Sequence, residues 1–382
     1  MKVWANEEEK NRQLPLAHFF YSVPGMGKRS MEKLLSVYGS FEEAYRAKGE
    51  HLQGILGEKR AYSIENHKKE SNPWNTYENL RKKGISFVCR LDREYPEKLK
   101  DIPDAPFGLF VKGRLPKENK KSVAIVGARR CSQYGEHMAL SLGRELALAG
   151  VPVISGMAKG IDGIGQEAAV NAGGAAFAVL GCGVDVCYPA SNRELYEKIQ
   201  KQGGILSEYL PGTEPRPELF PPRNRIISGL SDIVIVVEAR QKSGSLITVD
   251  MALEQGREIY CVPGRATDKL SEGCNKLIEQ GAGIVLSVED FLEKSGVLLP
   301  KGSAAIGQEC GKGQLESLSE KEIALWKLLD FEPISIEQLH IQLCTKKGMG
   351  QITLQETMEL LMGLMLKNKA ENITGCYYSK KE

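Results

Sequence analysis

Cationic and hydroxyl side chains follow the ends of several apolar segments between residues 122 and 287. The segment Val123–Val126, for example, leads into Gly127-Ala-Arg129, and residues 151–155 lead into Gly156 and Lys159. Guanidinium groups, hydroxyl donors and the unpaired N–H groups of helix N-termini together predict a site that holds an anion such as phosphate. The candidate residues are Arg129, Ser132, Ser155, Gly156, Lys159, Arg223, Asn224, Arg225, Arg240, Ser243, Gly244 and Ser245.

The apolar segments predict the sheet that must position these side chains. β-Branched and apolar runs alternate with helical periodicity such as that of residues 134–149. This alternation is typical of an α/β fold with a doubly wound parallel sheet, in which ligands bind beyond the carboxyl ends of the strands. The glycine-rich turns fall at those ends, so we expect the candidate residues to converge there. The predicted strands are 123–126, 151–155, 175–180, 232–239, 258–263 and 284–287.

A proline-rich segment, residues 210–225, interrupts this alternation. Proline fixes φ and removes a backbone donor, so the segment predicts an extended loop that ends at a helix over residues 226–230. Tyr188 and Phe220 are expected beside the crevice, where aromatic rings stack on bases. Phe220 as an apolar plug of its own loop is an equal alternative.

Motifs for catalysis or cofactor binding do not match the chain. The turn Gly127-Ala-Arg-Arg-Cys-Ser132 lacks the dinucleotide pattern G-x-G-x-x-G, and no phosphate-binding G-x-x-x-x-G-K-[ST] occurs. No histidine lies between His137 and His340, and Asp162 and Asp185 are typical of helix N-caps. The nine cysteines form no C-x-x-C pair and the five histidines no cluster. We expect no cofactor, no metal site and a reducing compartment.

Composition indicates an ordinary globular protein of 382 residues with two or three domains. The formal net charge of +2 does not by itself indicate nucleic acid, although residues 112–130 hold seven cations against one acid. That basic segment is either a solvated linker or a surface that faces phosphates. No apolar run reaches the length of a membrane span, so we expect a cytoplasmic protein without a membrane partner.

Changes in composition divide the chain into five parts. Residues 1–75 predict a helical domain, either helix-hairpin-helix or SAM-like, in which Pro24-Gly-Met-Gly27 forms a hairpin with a structural role. Residues 76–121 predict a bridge to the sheet domain of 122–296, and 297–316 predict a linker. Residues 317–382 predict three amphipathic helices and a hairpin, as in a winged helix. Its third helix, residues 353–366, is acidic and apolar, which favours protein docking or a structural role over reading DNA.

The order and spacing of the sheet-domain motifs resemble the DNA-processing protein A family, also called Smf. The resemblance extends from residue 125 to residue 275, and the helical and winged-helix-like flanks agree with it. The matching motifs are Ile125-Val-Gly-Ala-Arg129, Ser155-Gly-Met-Ala-Lys-Gly-Ile-Asp162, Ala178-Val-Leu-Gly-Cys-Gly-Val-Asp185, Gly203-Gly-Ile-Leu-Ser-Glu208, Phe220-Pro-Pro-Arg-Asn-Arg225, Ser243-Gly-Ser-Leu-Ile-Thr248 and Gly273-Cys-Asn275.

The resemblance implies an extended Rossmann-like, non-enzymatic protein that binds single-stranded DNA. It also implies a homodimer formed through the core domain and loading of the RecA recombinase in natural transformation or recombination. The implied DNA contacts are Arg129, Ser155, Gly156, Lys159, Arg223, Asn224, Arg225, Ser243, Gly244 and Ser245. Two positions depart from the family pattern: Ala128 replaces a serine and Gln166 replaces a histidine.

Two other functions remain open at this point. One is a nucleotide-processing enzyme, such as a phosphoribohydrolase, on a related sheet. Such enzymes carry a Pro-Gly-Gly-x-Gly-Thr turn before a glutamate, which Ser243-Gly-Ser-Leu-Ile-Thr248 lacks. The other is a docking protein, which does not require so many convergent arginines.

Overall fold

The computed structural model describes residues 3–118, 120–296, 318–330, 333–346 and 352–380. The chain forms two compact units, Met1–Leu298 and Leu299–Glu382. The predicted linker, residues 297–316, lies outside the described residues. No helix in the described ranges is long and apolar enough to cross a lipid bilayer.

The first unit begins with helices whose apolar faces share one core with the edge of the sheet. Phe20 and Phe41 are fully buried, with ring centroids 5.9 Å apart. They belong to the same apolar cluster as Phe87 and Phe110 of the first two strands. The helices are α1 (Glu7–Ser22), α2 (Lys28–Tyr38), α3 (Phe41–Arg46), α4 (Gly49–Leu56), α5 (Glu58–Glu70) and α6 (Pro73–Lys82).

The central sheet has the strand order β1-β2-β6-β5-β4-β3-β7-β8-β9 within the described residues. The pairs β1–β2 and β2–β6 are antiparallel and all other pairs are parallel. The predicted α/β class with a largely parallel sheet is therefore confirmed. The strands are β1 (Ile85–Cys89), β2 (Gly108–Gly113), β3 (Val123–Val126), β4 (Val153–Ser155), β5 (Ala176–Val179), β6 (Gly204–Ser207), β7 (Ile233–Val236), β8 (Glu258–Cys261) and β9 (Gly283–Ile284).

Helices cover both faces of this sheet because successive side chains of a strand point in opposite directions. Val123 and Ile125 of β3 join the apolar cluster of one face, whereas Ala124 and Val126 join the cluster of the other. The helices are α7 (Glu97–Lys100), α8 (Gln133–Leu148), α9 (Ile161–Asn171), α10 (Arg193–Gln202), α11 (Phe220–Leu230), α12 (Gly244–Glu254), α13 (Glu272–Glu279) and α14 (Val288–Lys294).

Helix α11 corrects the sequence-based prediction that residues 210–225 are an extended loop before a helix at 226. The helix begins at Phe220 and contains Pro221 and Pro222 in its first turn. Proline is favoured there because the first turn needs no N–H donor and already has φ near that of proline. Arg223 and Arg225 are therefore helical residues, and a short 3₁₀ turn, Pro217–Leu219, precedes them.

The second unit contains three helices and a small antiparallel sheet around its own core. Leu325, Leu339, Leu361 and Leu364 are buried in that core. Thr353 and Glu356 form a capping box at the start of the third helix. The elements are α15 (Glu320–Trp326), β10 (Ile334–Ser335), α16 (Ile336–Cys344), α17 (Leu354–Leu366), β11 (Ala370–Thr374) and β12 (Tyr377–Lys380).

Candidate nucleic-acid interface

A cavity of about 990 Å³ lies beyond the carboxyl ends of β3 and β7. The strand order reverses between these two strands, since β4 to β6 lie on one side and β8 and β9 on the other. Open α/β sheets bind their ligands at such a reversal. The cavity brings together seven of the sequence-predicted site residues: Arg129, Arg223, Asn224, Arg240, Ser243, Gly244 and Ser245.

Cations dominate the rim of the cavity. Arg129, Arg130, Arg240 and Lys242 line it and are all exposed. Asp162 is the one carboxylate among the lining residues that the structure describes. A concave surface with this charge balance attracts a polyanion.

An arginine and a carboxylate form the floor of the cavity. The Arg223 side chain is buried, and its Nη1 donates to the carbonyl of Gly156 at 2.9 Å and to that of Val179. Asp162 Oδ2 accepts the N–H of Gly156 at 3.2 Å. Burial raises the pKa of Asp162, and Arg223 opposes that rise; burial also lowers the pKa of Arg223. The guanidinium is thus anchored by the ends of β4 and β5.

Two aromatic rings stack in parallel at the cavity wall. The ring centroids of Tyr188 and Phe220 are 5.4 Å apart, with an interplanar angle of 24°. The guanidinium carbon of Arg129 lies 5.8 Å from the centroid of Phe220. Phe220 also packs on Gly181, where an added Cβ would come within 2.7 Å of the ring. Tyr188 is 41% exposed, so its ring retains surface on which a base can stack.

The N-terminus of α12 forms a further part of the wall. Ser243 caps this helix, and its Oγ accepts the N–H of Ser245 at 3.4 Å and lies 2.8 Å from Ser245 Oγ. Asn224, in the second turn of α11, lines the cavity as well. The N-terminus of α12 presents N–H groups and a positive dipole end, both of which favour an anionic ligand.

Three predicted site residues build the frame behind the cavity instead of lining it. Ser132 caps α8, and both its N–H and its hydroxyl donate to the carboxylate of Glu238. Ser155 is buried, and its Oγ donates to the carbonyl of Ile125 at 2.6 Å. Gly156 is the position at which a Cβ would overlap the Arg223 guanidinium. These residues hold the strand ends and the floor arginine in place.

Arg225 and Lys159 also lie outside the cavity lining. The side chain of Arg225 is only 9% exposed, and its guanidinium bonds to the Glu208 carboxylate and to the carbonyls of Asp104 and Pro222. Lys159 is exposed in the turn between β4 and α9. The structure therefore brings neither side chain to the rim.

The basic segment 112–130 divides between two ends of the sheet. Lys120 and Lys121 donate to the carbonyls of Gly150 and Ser295, which follow α8 and α14. These lysines stabilise the negative ends of those helices. Among the described residues of this segment, Arg129 and Arg130 are the only cations that line the cavity. Sequence reasoning missed Arg130 and Lys242 as site residues, although each adjoins a predicted one.

The two departures from the family pattern have different positions. Ala128 lines the cavity, and its carbonyl accepts the N–H of Ile161 at 3.2 Å. Gln166 is buried outside the lining, where its Nε2 donates to the carbonyl of Phe177 at 2.8 Å. Gln166 thus ties α9 to β5, whereas Ala128 leaves the cavity wall without a hydroxyl.

Cysteines and metal-binding side chains are scattered over the described part of the chain, apart from the hydrogen-bonded pair Cys261 and Cys274. No group of three or more His, Cys, Asp or Glu side chains is placed there to hold a metal ion. Burial raises the pKa of Cys182 to about 12, so this thiol near the cavity stays protonated at neutral pH.

Comparison with known proteins identifies the family of the chain. The family described as DNA recombination-mediator protein A matches residues 86–296, more than half of the chain. The chain belongs to this family. It is 46% identical over 206 residues to the DNA processing protein DprA of Streptococcus pneumoniae, covering 53% of this chain and 71% of the relative.

Two solved structures of family members resemble this fold. The X-ray structure of DprA from S. pneumoniae superposes with a TM-score of 0.64 at 34% identity, covering 77% of this chain and 98% of that one. DNA processing protein A from Helicobacter pylori, studied for its unique single-stranded DNA binding mode, has a TM-score of 0.50 at 31% identity. That match covers 55% of this chain and 94% of that one.

Proposed function

We propose that the chain binds single-stranded DNA in the cavity between β3 and β7 and presents it to a RecA-type recombinase during DNA uptake or recombination. Its membership of a recombination-mediator family supports the process. The observation that carries the binding function is the exposed Tyr188 ring, stacked on Phe220 beside the cationic rim. Aromatic platforms next to a cationic groove are how proteins hold single strands.

The cavity favours a single strand over a duplex. In a duplex the bases are stacked on one another and paired, so no base face is available to Tyr188. A single strand places phosphates on Arg129, Arg130, Arg240 and Lys242 while a neighbouring base stacks on the tyrosine. The cationic rim and the exposed Tyr188 ring together therefore favour single-stranded over double-stranded DNA.

The proposed contacts fall into two groups. Arg129 contacts DNA phosphates, and the side chains of Asn224, Ser243 and Ser245 donate hydrogen bonds to them. Gly244, at the start of α12, lets the DNA backbone approach the helix. Arg223, Ser132, Ser155 and Gly156 act by holding the floor and the strand ends. Lys159 contributes a more distant charge. Arg225 affects DNA binding only indirectly, because it fixes the position of α11.

Dimerisation through the core domain is part of the proposal. The candidate surface is the apolar helix and strand pair of residues 246–253 and 259–262. Ile259 and Val262 are buried, whereas Leu253 of α12 is 58% exposed. Leu253 is thus the apolar side chain that this surface can offer to a second subunit, so α12 is the proposed element. Light scattering tests this contact. We expect a dimer for the parent chain and a monomer for a Leu253→Glu variant, and a monomeric parent chain overturns the proposal.

Fluorescence anisotropy with labelled single- and double-stranded oligonucleotides at two salt concentrations tests the binding function. We expect tighter binding of the single strand and a steep loss of affinity with salt, because bound phosphates release counterions. Arg129→Ala should weaken binding, whereas Lys120→Ala, an exposed cation beside the carbonyl end of α8, should not. Equal affinity for duplex and single strand overturns the proposal.

The enzyme alternative rests on Asp162, whose raised pKa within a cavity is a pattern seen at catalytic sites. Its Oδ2 is engaged by the Gly156 N–H and the charge faces Arg223, which suits a structural role better. Incubation with nucleoside monophosphates separates the two functions. If the parent chain hydrolyses a nucleotide and Asp162→Asn abolishes that activity, the enzyme alternative is supported. If neither protein hydrolyses any nucleotide, DNA binding alone is supported.

A further inference from the structure

The floor of the cavity holds a hydrogen-bond donor that the protein itself does not use. Arg223 lines the cavity, and its buried Nε has no acceptor among the described residues. The two bonds of this guanidinium to the Gly156 and Val179 carbonyls are both made by Nη1. A buried donor without an acceptor costs free energy, so its presence in a cavity indicates a ligand that supplies the acceptor.

A carboxylate lies beside this guanidinium. Asp162 also lines the cavity, and its Oδ2 accepts the N–H of Gly156, the residue whose carbonyl accepts from Arg223. The charges of Arg223 and Asp162 therefore offset each other at the floor, in contrast to the cationic rim. A phosphate gains little there, because the carboxylate opposes its attraction to the arginine. The floor suits a neutral ligand that both accepts and donates hydrogen bonds.

The walls next to the floor are apolar. Val126 and Ile227 are buried and line the cavity, and the half-buried Leu270 and the ring of Phe220 line it as well. Proteins that read an unpaired base hold its faces between apolar or aromatic side chains and its edge on hydrogen-bonding groups. A cavity of about 990 Å³ is as large as the pockets that hold whole small molecules, so it has room for one base.

We propose that one unpaired base of the bound strand enters this floor edge-on and that the floor selects guanine. Guanine presents the acceptors O6 and N7 on one edge and the donors N1–H and N2–H₂ on the adjacent edge. Arg223 donates to O6 and N7, and the Asp162 carboxylate accepts from N1–H and N2–H₂. Adenine, cytosine and thymine carry a single donor group each, so they pair with the carboxylate less completely. This inference rests on the proposed binding of single-stranded DNA in the cavity.

Fluorescence anisotropy of the full chain with labelled oligothymidine strands tests the selection. One strand carries a single guanine at its centre, two others carry adenine or cytosine there, and a fourth is thymine throughout. We expect the strand with guanine to bind about tenfold more tightly than the other three. Equal affinity for all four strands overturns this inference and leaves the proposed function in place, whereas no binding to any strand overturns both.

A base analogue and a protein variant test whether Asp162 makes the selection. Hypoxanthine lacks the N2 amino group of guanine, so its strand should bind the parent chain about fivefold less tightly than the guanine strand. Asp162→Asn keeps an oxygen for the Gly156 N–H and places an amide donor at the other position, so it should bind the two strands alike.

Arg130→Ala at the rim is the matched control for this comparison. It should weaken binding of the guanine and hypoxanthine strands equally and retain the ratio of their affinities, because the rim contacts phosphates. Since the readout is a ratio, a general loss of stability in a variant affects both strands alike. Equal affinity of the parent chain for the two strands, or an unchanged ratio in Asp162→Asn, overturns the proposal.

Discussion

The guanidinium of Arg225 contacts both carboxylate oxygens of Glu208: its Nη2 lies 2.9 Å from Oε1 and 2.7 Å from Oε2. Its Nε donates to the carbonyl of Asp104 at 2.8 Å. The arginine thereby joins the second turn of α11 to the segment after β6 and to the segment before β2. Asn224, the preceding residue, lines the cavity, so this ion pair fixes one wall of the site.

Arg225→Ala should lower the free energy of unfolding by about 3 kcal/mol, because it leaves the largely buried Glu208 carboxylate, 21% exposed, without its partner. Urea unfolding followed by circular dichroism measures the change. Glu208→Ala should cost a similar amount, and the double variant less than the sum, since the two residues act as a pair. Additive losses would contradict this role for the pair.

Arg129→Ala should weaken single-strand binding by about 1–3 kcal/mol, the range for a lost charge-assisted contact. The loss should be similar on every sequence, and the salt dependence should become less steep because fewer counterions are released. Arg129 is exposed, so the melting temperature should match that of the parent chain. Lys159→Ala should have a smaller effect. If Arg129→Ala leaves the affinity and the salt slope unchanged, the DNA binds outside this cavity.

Tyr188→Leu should weaken single-strand binding by about 1–3 kcal/mol through loss of base stacking. Unlike Arg129→Ala, it should leave the salt slope unchanged, since no phosphate contact is removed. Tyr188→Phe retains the ring and should bind like the parent chain. Anisotropy titrations at several salt concentrations measure both quantities, and a full loss in Tyr188→Phe would assign the effect to the hydroxyl instead of to stacking.

Gly156→Ala should disrupt the floor of the cavity, because the added methyl group overlaps the Arg223 guanidinium. That guanidinium is buried and bonded to the Gly156 and Val179 carbonyls, so it has no space to move. We expect lower stability and weaker DNA binding together. Gly244→Ala is the matched control for stability, because a Cβ there meets no atom within 4 Å. Equal melting temperatures for the two variants would rule out a packed floor.

Stability should fall as the pH falls from 6.5 to about 4 because of His18. This side chain is buried near Phe87 and Phe110, and burial lowers its pKa from 6.5 to about 4. The unfolded chain therefore binds a proton in this window that the folded chain does not, which costs about 3 kcal/mol by pH 4. Urea unfolding across the window measures the loss.

His18→Phe should remove that part of the pH dependence, since the position already lies among aromatic rings. His51→Phe, at an exposed position, should keep it. A parent chain whose stability is flat between pH 6.5 and 4 would show that His18 is not protonated on unfolding.

The sheet was predictable from sequence because its strands are apolar runs separated by glycine turns. Val123–Val126 was predicted with the bounds that the structure has, and the cavity lies where the turns were expected. The strand Gly204–Ser207 was not predicted, since its four residues begin with a glycine and have no run of β-branched side chains. Helix α11 was misplaced because its two prolines were taken as loop residues.

The direction of each site side chain was not predictable. Arg223 and Arg225 have the same chemistry and lie two residues apart, yet in a helix this spacing turns them to different sides. Arg223 reaches the ends of β4 and β5, and Arg225 reaches Glu208. Which arginine meets the ligand depends on these distant partners, and no local pattern specifies them.

The short outer strand of the sheet has a consequence for behaviour at high concentration. At one side β1 is packed by α1 and α6, and at the other β9 has only two residues, Gly283–Ile284. A long bare strand edge is the template on which chains add to one another and form fibres. Within the described ranges β9 is too short to serve as such a template. Addition of another chain to the sheet through the backbone of β9 is therefore disfavoured, even when the protein is concentrated.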